Sequence, residues 1–71
     1  MFETGTGMAL SSRIVIARLK ADGWYEGGQT GSHKHFKHPV KPGKVTVPHP
    51  RKDLSIKTLK SIERQSGVDL S

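Results

Sequence analysis

The chain has 71 residues, 32% of them hydrophobic, and no cysteine. That allows one small domain with a single modest core, and excludes both a disulfide framework and a thiolate metal site. Twelve Lys and Arg against six Asp and Glu give a formal net charge of +6, an excess that favours polyanions, nucleic acid first among them. No apolar run approaches the roughly 18–20 residues of a membrane helix. Met1 to Leu10 lacks the basic start and apolar centre of a secretory signal, so the cytoplasm is the expected compartment.

Met1 to Leu10 reads as a flexible lead-in broken by Gly5 and Gly7, with Met8 an alternative start. The globular domain is expected over residues 11–71. Ser11 or Ser12 offers an N-cap to a first helix that Gly23 would close. Ile14, Ala17 and Ala21 recur at helical spacing, widened by Val15 and Leu19 and flanked by Ile16, and predict its apolar stripe. Trp24-Tyr25-Glu26 begins a strand that Gly27 and Gly28 end or bulge, and Gln29-Thr30-Gly31 is expected to turn.

Ser32 to His38 alternates. In a strand, Phe36 shares one face with Ser32, Lys34 and His38. Phe36 is the strong apolar residue, so its face turns inward and His33, His35 and Lys37 look outward. Pro39 ends the strand, and Val40-Lys41-Pro42-Gly43 places Pro and Gly where a tight turn wants them. Lys44-Val45-Thr46-Val47-Pro48 predicts a third strand with Val45 and Val47 on one face. His49-Pro50-Arg51-Lys52 follows as an exposed basic loop. Asp53 or Ser55 caps a second helix with Ile56, Leu59 and Ile62 along its apolar side and Lys57, Lys60 and Arg64 exposed. Gly67 closes it, and Val68 packs back over its last turn. The order predicts an α+β fold, α-β-β-β-α, in which a three-stranded antiparallel sheet carries both helices on one face.

The chemistry concentrates in Gly31-Ser32-His33-Lys34-His35-Phe36-Lys37-His38, which holds three of the four histidines. Imidazole can take and give a proton near neutral pH, and lysines beside it favour an anion. RNA carries its own nucleophile, the 2′-hydroxyl, so a histidine over its backbone can act without a metal. His33 is the candidate catalyst, with His35 and Lys37 as support on the same face. Lys34, Arg51, Lys52, Lys57 and Lys60 are the candidate RNA contacts. Trp24 is expected in the core and Tyr25 as a stacking surface. His49, between two prolines, reads as a phosphate contact or a plain loop residue. A metal held by His33 and His35 with His38 or His49 is the competing arrangement. It lacks a nearby carboxylate or thiolate, and His38 points to the other face, so no metal and no cofactor are expected.

Asp22-Gly23-Trp24, Gly31-Ser32-His33, His35-Phe36, His38-Pro39, Val45-Thr46-Val47-Pro48 and Leu59-Lys60-Ser61-Ile62, in this order and spacing, resemble the HicA family of bacterial type II toxins. The likeness covers about Ser12 to Val68. It implies a double-stranded-RNA-binding-domain-like fold, endoribonuclease action on mRNA, growth arrest, and neutralisation by a HicB antitoxin that covers His33. The residue directly after Gly-Ser, His33 here, is the catalytic histidine that the resemblance implies. Gly27 and Gly28 depart from the pattern, where many relatives have an apolar and then a basic residue. Fold and charge alone suit a second reading equally well, a non-catalytic RNA-binding module, and so, less well, a subunit that only holds an acidic protein. The Gly-Ser-His element favours the enzyme.

Overall fold

The computed structural model describes residues 10–70, so the lead-in falls outside the described residues apart from Leu10. Helix α1 spans Ser12–Ala21, strands β1, β2 and β3 span Tyr25–Thr30, His33–Lys37 and Val45–Pro48, and helix α2 spans Ile56–Ser66. The sheet is ordered β1-β2-β3 with both pairings antiparallel. The α-β-β-β-α order and the α+β class follow the sequence expectation. Among the described residues no helix is long and apolar enough to cross a membrane.

Phe36 lies opposite Val45 in the register. These two and Val47 face Val15 and Leu19 of α1 and Leu59 and Ile62 of α2 in one cluster, together with Trp24, Leu54 and Leu70. Both helices therefore cover the same face of the sheet, and the other face is left to solvent. Trp24 is buried as expected.

The helix faces differ from the periodic reading. In α1 the buried residues are Ser12, Val15 and Leu19, while Ile14, Ala17 and Ala21 are exposed. Two stripes fit the helical period, and the one with the larger side chains plus an anchored Ser12 wins. In α2 the buried line is Leu59, Ile62 and Ser66. Ile56 is half exposed, because Leu54, joined to Leu10 by an isolated β-bridge, fills the space before the helix. Leu10 thus belongs to the fold rather than to the lead-in. At the other end Leu70 is also buried, its N–H donating to Glu63 Oε2 at 2.7 Å.

Both helix starts are capped by serine. Ser11 Oγ accepts from Ile14 N–H and Ser55 Oγ from Thr58 N–H, each at 3.2 Å. Gly67 closes α2 in the left-handed conformation, φ 73°. Gly23, φ 107°, turns the chain out of α1, and Trp24 N–H returns to Leu19 O at 3.0 Å. β1 runs through both glycines with an irregularity between Glu26 and Gly28. Gln29 and Thr30, expected in the turn, are strand residues, and Gly31-Ser32 alone makes the turn.

The ends of the two helices are tied together behind Gly23. His38 Nε2 donates to Asp22 O at 2.8 Å, and His38 Nδ1 accepts from the Val40 and Lys41 N–H groups, each at 3.0 Å. Those three bonds fix the tautomer. The ring meets Trp24 edge-on, with centroids 5.1 Å apart. Lys41 Nζ donates to Asp22 Oδ2 at 2.6 Å and to Ser66 O at 3.1 Å, which joins α1, the β2–β3 loop and the end of α2.

A Cβ at Gly23 would stand 2.8 Å from His38 Nε2. Gly23→Ala is therefore expected to cost about 1–3 kcal/mol from backbone strain alone, with the clash in addition. Gly31→Ala, at φ 58° in open space, should lose only about 1 kcal/mol, and urea denaturation of both variants compares them. Hydrogen bonding from Lys41 holds the Asp22 carboxyl below its ordinary value. The contribution of this ion pair is then present above the unfolded pKa, about 3.9, and lost as pH falls through the lower folded value. The stability gap between the parent and Asp22→Asn should narrow between pH 7 and pH 2. An unchanged gap would mean that the charge contributes nothing.

Candidate active site

Strand alternation builds the site. Because Phe36 is committed to the core, the other side of β2 presents His33, His35 and Lys37 to solvent. His33 is the first residue of the central strand, with Thr30 on β1 and Pro48 on β3 as its Cα partners. Gly31, φ 58°, supplies the left-handed residue that a two-residue hairpin turn needs, and Gln29 Nε2 braces the turn by donating to Gly31 O at 2.9 Å. The His49 N–H donates to Ser32 O at 2.7 Å, which extends the pairing past His33. The backbone of His33 is thus held on both sides, while its imidazole is exposed and makes no hydrogen bond within the described residues.

His35 is half buried and bridged. Its Nε2 is 3.0 Å from Thr30 Oγ1, and its Nδ1 is 3.0 Å from Thr46 Oγ1. One threonine comes from each flanking strand, so the ring spans the sheet with both nitrogens occupied. It lies on the same face as His33, and a proton can enter or leave it only if a threonine hydroxyl gives way. Neither threonine stands out in the sequence as a site residue. Thr46 sits between two core valines, which marks it as outward-facing, but only the strand register reveals its partner.

Lys37 shares this face, roughly 13 Å from His33 along the strand. His35 stands between them on that face. The Lys37 stem lies over the bulge, since a Cβ on Gly27 would be 3.2 Å from Lys37 Cγ. Tyr25, half exposed, pairs with Lys37 on the same face.

Lys34 is turned to the opposite face, toward the helices. Its Nζ lies 2.6 Å from Glu26 Oε2, and this hydrogen bond holds the Glu26 carboxyl below its ordinary value. The lysine beside the candidate catalyst in sequence is therefore not beside it in space. Lys57 and Lys60 are exposed on α2, in the helical layer. Arg51 and Lys52 lie between the two layers, in the loop from β3 to α2. That loop is less free than its sequence suggests. Arg51 N–H donates to Ser12 Oγ at 2.9 Å, and Arg51 O accepts from Ser12 N–H at 2.9 Å. His49 is half buried, with its Nδ1 2.6 Å from Ser12 Oγ. Among the described residues no three His, Cys, Asp or Glu side chains gather as a metal would require.

A family model described as HicA toxin of bacterial toxin-antitoxin matches residues 12–68. Among solved structures, a chain described as "HicA3 and HicB3 toxin-antitoxin complex" aligns with a TM-score of 0.69 and 32% identity, over 87% of this chain and 100% of that one. No curated protein sequence matches. With the family model spanning both helices, the sheet and the Gly31-Ser32-His33 turn, this chain belongs to the HicA family of toxins of bacterial toxin–antitoxin systems.

Proposed function

We propose that the chain is an endoribonuclease that cleaves mRNA through His33 without a metal, inhibiting translation, and that a HicB-type antitoxin neutralises it by covering that residue. One observation carries the reading. Of the four histidines, three have their rings tied to the protein, by Thr30 and Thr46, by the Asp22–Lys41 turn, or by Ser12. Among the described residues only His33 keeps a ring without a hydrogen bond, at the first position of β2 on the open face.

RNA cleavage of this kind moves two protons. One leaves the 2′-oxygen as it attacks phosphorus, and one reaches the departing 5′-oxygen. The P–O5′ bond breaks, leaving a 2′,3′-cyclic phosphate and a 5′-hydroxyl end. His33 carries one of the two protons, a role worth about 10²- to 10⁴-fold in rate. His35, held by its threonines, supports the face more than it exchanges protons. Lys37 meets the backbone about two nucleotides from the scissile bond, and Arg51, Lys52, Lys57 and Lys60 add to the basic field that gathers RNA. Lys34 adds less, being paired with Glu26.

In EDTA, His33→Ala should lose cleavage of a defined RNA by at least about 100-fold while binding persists, and His35→Ala should lose less. The parent's products should end in cyclic phosphate. Parent protein that binds RNA and cuts nothing would instead support the binding-module reading. The solved relative is described as a HicA3 and HicB3 toxin-antitoxin complex, and an acidic partner suits a chain of net charge +6. A HicB-type antitoxin should shield His33 from diethylpyrocarbonate, read by peptide mass mapping. Undiminished labelling of His33 in the complex would sink the occlusion claim.

A further inference from the structure

An open groove of about 620 Å³ runs between the start of α1 and the loop from His49 to Lys52. Its size lies within the roughly 300–1,000 Å³ typical of sites for small organic ligands. Ile14 and Pro50 give it apolar walls, Arg13, Arg51 and Lys52 stand on its rim, and no carboxylate among the described residues lines it. Ile14 is 45% exposed and offers its side chain to the groove. Two first-turn amides of α1 are already committed, Ser12 N–H to Arg51 O and Ile14 N–H to Ser11 Oγ. The three cationic side chains supply attraction for an anion.

Hydrogen bonds hold the groove together. Its floor is the Ser12–His49 pair, 2.6 Å apart, and its two walls are fastened by the reciprocal Ser12–Arg51 bonds. Through the 2.7 Å bond from His49 N–H to Ser32 O, the groove adjoins the residue that precedes His33.

We propose that this groove is a subsite for an unpaired nucleotide of the bound RNA, its base against Ile14 and Pro50 and its phosphate on Arg13, Arg51 and Lys52. The proposal rests on the reading of the chain as an RNA-cleaving enzyme and adds the place that holds an unpaired base. A duplex keeps its bases stacked and offers only sugar and phosphate to a protein surface, whereas a splayed base can enter an apolar slot. Basic residues alone would suit either form of RNA. The apolar walls between them favour the single strand.

The test uses the His33→Ala protein, so that binding is read without cleavage, with a labelled single-stranded RNA of about 12 nucleotides and a blunt duplex of the same sequence. Single-stranded RNA should bind more tightly than the duplex. Adding Arg13→Gln and Arg51→Gln should weaken single-strand binding about tenfold and lower the salt slope by about 0.7 for each phosphate no longer neutralised. Ile14→Asp should weaken it as well, whereas Lys57→Gln with Lys60→Gln on α2 should cost less. All these side chains are exposed, and circular dichroism checks that the variants fold. In the active protein the Arg13 and Arg51 changes should raise KM and leave kcat nearly unchanged. Groove variants that bind the single strand like their parent, or a duplex that binds equally well with the same sensitivity, would overturn the proposal. A parent protein that cuts no RNA would overturn the role of His33 instead, and the binding comparison would still decide the groove.

Discussion

Everything on the open face depends on the burial of Phe36. In a chain this small one apolar layer must hold two helices and a sheet, and Phe36 is the aromatic that the central strand contributes to it. Alternation then leaves no freedom. With Phe36 inward opposite Val45, His33 and His35 must face out, and a slip of one residue would bury both imidazoles and expose the phenyl ring. The two-residue turn at Gly31-Ser32 and the Phe36–Val45 pair pin the register from both sides of β2. The position of the candidate catalyst is thus a consequence of core packing.

The four histidines show how surroundings divide one side chain into several roles. His38 is a joint, its tautomer fixed by one carbonyl and two amide groups, and it seals the end of α1 against the β2–β3 loop. His35 is a crossbar between Thr30 and Thr46. His49 props the loop to α2 against Ser12. Each of these rings is hydrogen-bonded inside the protein, which stabilises the fold and makes the ring costly to recruit for chemistry. His33 has no such bond among the described residues. Its clustering with His35 and His38 in sequence suggests a shared site, yet the strand and the turn after it send the three to different surroundings.

Much of this is legible in the residues. Element order, the serine caps, the glycine stops and the inward set Phe36, Val45 and Val47 follow from local rules, because each is decided within a few residues. What escapes those rules is what depends on distant partners. The burial of Ser12 instead of Ile14 requires the loop at Arg51 to reach back to α1. The exposure of Ile56 requires Leu54 to meet Leu10, and the capture of Lys34 requires Glu26 on the neighbouring strand. The candidate site divides in the same way. The alternation that puts His33, His35 and Lys37 on one face is local, whereas the threonine clamp on His35 and the layer that separates Lys57 and Lys60 from His33 are tertiary.

Gly27 and Gly28 illustrate the difference most sharply. By local rules they weaken β1, since neither offers a side chain to pack. In the sheet they do something more specific. Tyr25 pairs with Lys37 and Thr30 with His33, so both face outward, although an odd number of positions separates them in the chain. A regular strand would put them on opposite faces. The bulge between Glu26 and Gly28 absorbs the extra residue, and Gly28, with φ 149°, occupies a conformation that side chains rarely adopt. The change of face lets Glu26 reach Lys34 on the helical side while Thr30 reaches His35 on the open side. A β-branched pair in place of these glycines would give a better strand by propensity. It would also remove the device that supplies His35 with its second hydrogen bond and brings Tyr25 to the face that carries His33.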